Sequence, residues 1–204
     1  MLLLIASISA ALNIVLFAGL PFLVYFGFQK WRHKRTLSEC AKRAGLQLGN
    51  PRFLIHGAAV SVLAVALLLV WPPPLAPFLR HGSPQEAFRG LGLNAQSVLL
   101  ALLYGVLKTG LPEELLFRGL IAGSLFRHLQ PVRANLAQAA IFLIPHLFVL
   151  RVMPELWALI PVVFVASLFI GWLRSVSDSI LGPILVHAAL NVTICLSVAM
   201  RTAP

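Results

Sequence analysis

The stretch SILGPILVHAALNVTICLSVAM, residues 179–200, contains no Asp, Glu, Lys or Arg. A helix of this length, rising about 1.5 Å per residue, covers the roughly 30 Å hydrocarbon thickness of a bilayer. Yet the run carries His187 and Asn191 four residues apart, so one helical face presents an imidazole and a carboxamide. The spacing predicts a membrane helix that brings polar groups into the bilayer.

Residues 1–29, 53–79, 90–107, 134–150 and 156–173 are likewise free of charged side chains. Across all 204 residues 59% are apolar and 11% charged, with a mean hydropathy of +0.91. Soluble domains carry about 25% charged residues, so too little polar surface exists to cover a water-soluble globule. In hydrocarbon a helix satisfies its own backbone. The expected fold is therefore an all-α, multi-pass transmembrane helical bundle of about seven segments: 2–28, 53–71, 96–110, 112–129, 134–150, 155–173 and 179–200. One integral membrane domain, 1–204, suffices. Trp31, Trp71, Trp157 and Trp172 fall near segment ends, where an amphipathic ring suits the headgroup zone. Pro72, Pro73 and Pro74 end the second segment.

The net charge is +10. Lys30, Arg32, Lys34, Arg35, Lys42, Arg43 and Arg52 crowd the 29–52 loop between two apolar runs. That is the positive-inside pattern, a cytoplasmic loop against anionic lipid rather than a nucleic-acid surface. Alternation over seven spans then puts Lys108, Arg151 and Arg201 inside, and Arg80, Arg89, Arg127, Arg133 and Arg174 outside, with the N-terminus outside and the C-terminus inside. Leu37, Cys40, Ala41 and Ala44 recur at helical spacing, predicting a short interfacial helix that ends at Gly45. The first run is too long for a signal-peptide core and reads as a retained anchor. Cys40 and Cys195 should sit at different depths, so no disulfide is expected.

Ionisable side chains within hydrocarbon are costly and mark functional sites. Glu113, Glu114, Arg118, His146 and His187 are such groups, with Asn191 beside them. The Lys108–Glu114 stretch reads as a break between two helices, with Pro112 in the first turn of the second and both carboxylates at its N-terminus. Glu114 and Arg118, four apart, can pair on one face. Glu113 points about 100° away and stays available for proton transfer. Gly119 and Gly123 would admit a close neighbouring helix. Phe142 and His146 share a face, as do His187 and Asn191. Asp178 and Glu155 read as helix-start residues. On these grounds alone the histidines serve either catalysis or interhelical hydrogen bonding.

In this order Glu113-Glu114-Leu115-Leu116-Phe117-Arg118 resembles an EExxFR motif, Phe142 to His146 an FxxxH motif, and His187 to Asn191 an HxxxN motif. Together with Asp178 to Ile184, they resemble the CAAX protease and bacteriocin-processing (CPBP) family of intramembrane endopeptidases. The likeness covers residues 96–200, the motif-bearing core. It implies that Glu113 with His146 activates water, that His187 and Asn191 stabilise an oxyanion, and that Glu114 and Arg118 orient the helix, with Glu114 also counted as catalytic. Phe142 would support the site. The chemistry fits, since a carboxylate can act as general base and imidazole and carboxamide N–H groups can hold a tetrahedral oxyanion.

There is no HExxH, GxSG or SxxK motif, and Asp178 is the only aspartate. Zinc, serine and aspartyl mechanisms thus lack their local signatures. No cofactor is expected, although Glu113, His146 and His187 have the residue types of a zinc site. Cys195 reads as a small hydrophobe rather than a nucleophile. Gly90 to Ala95 resembles a dinucleotide fingerprint but follows no strand and reads as a loop. The leading expectation is a peptidase acting on a peptide or on a membrane-associated, CaaX-like protein. Its competitors are a non-catalytic bacteriocin-immunity or scaffold protein and a proton-coupled transporter.

Overall fold

The computed structural model describes residues 1–151 and 153–204, and among these no strand forms. Seven helices follow in order: α1 (Leu2–His33), α2 (Leu37–Arg43), α3 (Pro51–Val70), α4 (Ala95–His128), α5 (Pro131–Val149), α6 (Pro154–Ser177) and α7 (Leu181–Arg201). All except α2 are long and apolar enough to cross a bilayer. Val24, Ile55, Val62, Val132 and Val165 stand exposed on the outside, as expected when lipid rather than water is the solvent. The protein is an integral, all-α, multi-pass membrane bundle.

Local chemistry starts several helices. At α2 the Glu39 amide donates to Thr36 Oγ1 at 3.3 Å and the Thr36 amide to Glu39 Oε2 at 2.7 Å, a reciprocal capping box. The Thr36 amide, then its hydroxyl, holds the Glu39 carboxyl below the usual range. The expected short helix is thus present, and its chain leaves through Gly45 at φ +75°, where a side chain would be strained. The proline run follows the end of α3. At α4, Asn94 and Ser97 cap each other at 3.0 Å in both directions. The Gly90–Asn94 segment is a loop, with Gly90 and Gly92 at positive φ.

The expected break at Lys108–Glu114 does not occur. Segments 96–110 and 112–129 form one helix, α4, in which Gly110 keeps helical angles (φ −54°, ψ −56°). Residues Leu103–Gly110 widen into π-type turns, and the Leu111 amide bonds to the Val106 carbonyl five residues back. This shift of register accommodates Pro112, which has no N–H to give and a ring that crowds the turn before it. Glu113 and Glu114 therefore lie in mid-helix, and a helix N-terminus plays no part in their electrostatics.

One fewer crossing also revises the topology. Six spans put both termini at the same end. The Gly90 amide donates to Thr202 Oγ1 at 2.9 Å, Arg201 to the Pro73 carbonyl at 2.8 Å, and Arg80 pairs with Glu155 at 2.7 Å. At the other end the Ile180 amide reaches the Gly45 carbonyl, and Arg127 and Arg174 both reach the Arg43 carbonyl. Arg127, Arg133 and Arg174 therefore join the seven basic residues of the first loop. Arg151 and Arg201 lie at the opposite end with Arg80 and Arg89, and Lys108 lies within α4. Positive charge is more one-sided than seven-span alternation implied.

Of the two expected helix-start residues, Asp178 is revised. Asp178 closes α6 in a left-handed conformation and pairs with Arg174 at 2.9 Å, while Ser179 Oγ accepts the Leu181 amide at the start of α7. Glu155 does lie in the first turn of α6, as expected, and its side chain also pairs with Arg80. Gly119 and Gly123 do admit a close neighbour, but it is the end of α2: added Cβ atoms would lie 2.9 Å from the Ala44 carbonyl and 3.2 Å from that of Arg43. Two spans also meet closely where α4 packs on α7, and a Cβ at Gly105 would meet Val192 Cγ2 at 2.6 Å.

Candidate active site

Glu114 is the centre of the buried polar network. Its Oε1 accepts Arg118 Nη1 at 2.9 Å, and both side chains are completely buried. Arg118 Nη2 donates to Ser167 Oγ of α6 at 2.9 Å, and the guanidinium lies 4.0 Å from the Phe142 ring of α5. His187 of α7 brings Nδ1 to the same Glu114 oxygen at 2.7 Å. One carboxylate therefore ties α4 to α7, and its arginine ties α4 to α5 and α6. A buried charge is tolerable only with such partners.

Glu113 is turned to a different face, its side chain 29% exposed against none for Glu114. It lines a cavity of about 360 Å³ together with His146, His187 and Asn191. His187 Nε2 stands 3.9 Å from Glu113 Oε2, so this ring lies between the two carboxylates. Because His187 Nδ1 faces Glu114, the cavity meets Nε2.

His146 follows Pro145 within α5, and its Nδ1 lies 2.9 Å from the Phe142 carbonyl of its own helix. A carbonyl can only accept, so Nδ1 carries the proton and Nε2 of the neutral ring has the lone pair. Phe142 packs under both histidines, with ring centroids 4.6 Å from His146 and 6.0 Å from His187. Asn191 donates through Nδ2 to Thr109 Oγ1 at 2.9 Å, and that hydroxyl reaches the Tyr104 carbonyl at 3.0 Å. One carboxamide N–H is thereby used for orientation, and the second remains for a ligand.

The structure thus brings Glu113, His146, His187 and Asn191 to one cavity, and sets Glu114, Arg118 and Phe142 behind it. Asn13 and Phe17 of α1 also line the cavity, as do Phe78, Pro84 and Gln85 of the 71–94 connection and Met153 and Leu156 beyond α5. These connections lie at the end away from the basic cluster. Gln85 additionally donates to the Tyr104 hydroxyl at 3.2 Å. Sequence reading missed Asn13, Thr109 and Ser167. Thr109 stands one helical turn before Glu113, and uncharged polar residues in apolar runs were the available clue. Among the described residues, no three His, Cys, Asp or Glu side chains are arranged to hold a metal ion.

The comparisons add a family. No curated protein and no solved structure matches the chain. Residues 95–193 match the family described as type II CAAX prenyl endopeptidase Rce1-like. That span begins at the first residue of α4 and includes all seven side chains of the cavity and its backing network named from the motifs. Over residues 95–193, just under half of its length, the chain is similar to the type II CAAX prenyl endopeptidase Rce1-like family, and this likeness supports the CAAX protease group.

Proposed function

We propose that the protein is an intramembrane endopeptidase that hydrolyses a peptide bond of a membrane-associated or CaaX-like protein. The observation that carries this reading is the division between two adjacent carboxylates. Glu114 is fully buried on Arg118 and His187, whereas Glu113 faces a cavity shared with His146 and Asn191.

A water molecule between Glu113 and His146 Nε2 would give one proton to the Glu113 carboxylate, with its oxygen adding to the scissile carbonyl carbon. The carbonyl electron pair moves onto oxygen. The resulting oxyanion faces the free Asn191 N–H and, when the ring is doubly protonated between its two carboxylates, His187 Nε2–H. Collapse breaks the C–N bond, and the proton held by Glu113 passes to the leaving amine. Thr109 orients Asn191, and Glu114 orients His187. No metal enters this scheme.

The one-sided charge leads us to orient the basic end toward the cytoplasm. The connections that line the cavity then lie on the other face of the membrane. In a purely scaffolding role the polar side chains would bridge helices. Glu114, Arg118 and Ser167 do so, but His146 makes its hydrogen bond within its own helix, which favours catalysis.

The test is cleavage of farnesylated and unmodified CaaX-ending peptides by purified protein, with and without chelator, beside Glu113→Gln and His146→Ala variants shown to melt as wild type does. We expect chelator-insensitive cleavage that both substitutions abolish. Equal turnover in all three proteins would remove the proposed site, absence of cleavage by the wild type would overturn the peptidase assignment, and loss of turnover on chelation would overturn the metal-free scheme.

A further inference from the structure

A second cavity, about 670 Å³, lies at the basic end where α2, α4 and α6 meet. Lys42, Arg43, Arg127 and Arg174 line it against one carboxylate, Asp178. Arg174 is 4% exposed. Two of the guanidinium groups converge on a single acceptor, the Arg43 carbonyl, with Arg127 Nη1 at 3.4 Å and Arg174 Nη2 at 3.2 Å. The buried Nε groups of Arg43, Arg127 and Arg174 have no hydrogen-bond partner among the described residues. Asp178 cannot balance the group, because it is largely exposed and also accepts from Gln47 at 2.8 Å.

Cations gathered at low dielectric repel unless an anion sits among them. Guanidinium groups suit phosphate because their planar N–H pairs match its oxygens. The location adds a second argument, since the cavity lies at the ends of membrane-spanning helices, at the level of lipid headgroups. Gly123 keeps the floor open: a Cβ there would come within 3.4 Å of Arg127 Nη1 and 3.6 Å of Arg174 Nη2.

We propose that this cavity binds a phosphate group, carried either by an anionic lipid headgroup or by a soluble phosphate. It shares no lining residue with the cavity that holds Glu113, so its occupancy can be measured independently of turnover.

The experiment titrates the detergent-purified full chain with short-chain phosphatidylglycerol, short-chain phosphatidylcholine and inorganic phosphate, reading the melting temperature and saturation of binding. We expect phosphatidylglycerol to bind saturably and at least about tenfold more tightly than phosphatidylcholine. Arg43→Gln and Arg127→Gln should each weaken it by about tenfold. Lys42→Gln, at an exposed rim position, should weaken it less and serves if the two half-buried arginine variants fail to fold. Saturable binding of inorganic phosphate with the same variant sensitivity would support the site and assign it to a soluble ligand; displacement of the lipid only at bulk-salt concentrations supports the headgroup. Equal binding of both lipids with no phosphate response would overturn the proposal, as would folded variants, Lys42→Gln included, that bind phosphatidylglycerol as wild type does.

Discussion

His187 Nδ1 lies 2.7 Å from Glu114 Oε1, the oxygen that also accepts from Arg118. The two residues are 73 positions apart in the chain, yet this contact separates the jobs of the adjacent glutamates. Replacing Glu114 with Gln leaves Arg118 buried without its counter-charge. Removing one partner of a buried pair costs about 3–5 kcal/mol. We expect Glu114→Gln to lower the melting temperature of the purified protein sharply, and Glu113→Gln to leave it near wild type while abolishing peptide cleavage. The reverse pattern would mean that the glutamate roles are exchanged.

Asn191 and Thr109 supply a graded test of the oxyanion pocket. Loss of one oxyanion donor typically lowers kcat by about 10²–10³, and Asn191→Leu should fall in that range. Thr109→Val removes only the acceptor that orients the carboxamide. A reduction in kcat of roughly fivefold with little change in KM is expected, consistent with about 1 kcal/mol for one hydrogen bond. An unchanged kcat in Thr109→Val would show that Asn191 needs no such support.

Gly105 is where α4 meets α7 most closely. A methyl group there would be 2.9 Å from the Val192 amide nitrogen as well as 2.6 Å from its side chain. Gly105→Ala should destabilise the fold by about 1–3 kcal/mol through overpacking, read as a lower melting temperature. Gly27→Ala, with nothing within 4 Å, should not.

The orientation can be checked by labelling. Cys40 and Cys195 are fully buried, whereas Leu48 at the basic end and Leu93 at the other are 78% and 64% exposed. With the basic end in the cytoplasm, a membrane-impermeant maleimide added to intact cells should label Leu93→Cys, and should label Leu48→Cys only after permeabilisation. The opposite pattern would invert the orientation.

Membrane residence, the short helix α2 and the faces of the three motifs were legible in the amino-acid order because each depends on neighbours within one or two turns. Chain hydropathy reports transfer into lipid, and spacing of four reports a shared helical face. Glu114 with Arg118 was readable for that reason. The passage of α4 through Pro112 was not. A proline two residues after a glycine ordinarily marks a boundary, and here a change in hydrogen-bond register carries the helix through it. That one difference altered the number of spans and with it the grouping of Arg127, Arg133 and Arg174.

By itself the sequence determined that this chain spans a membrane and which polar side chains share a helical face, because helix geometry alone relates residues three or four apart. Only the tertiary structure decided that His187 takes Glu114 while Glu113 is left to the cavity, and that Asn191 rests on Thr109, 82 positions away. It also placed Asn13 and Gln85 beside them. Such relationships depend on how separate helices pack and on where the chain turns back, and no local periodicity encodes those distances.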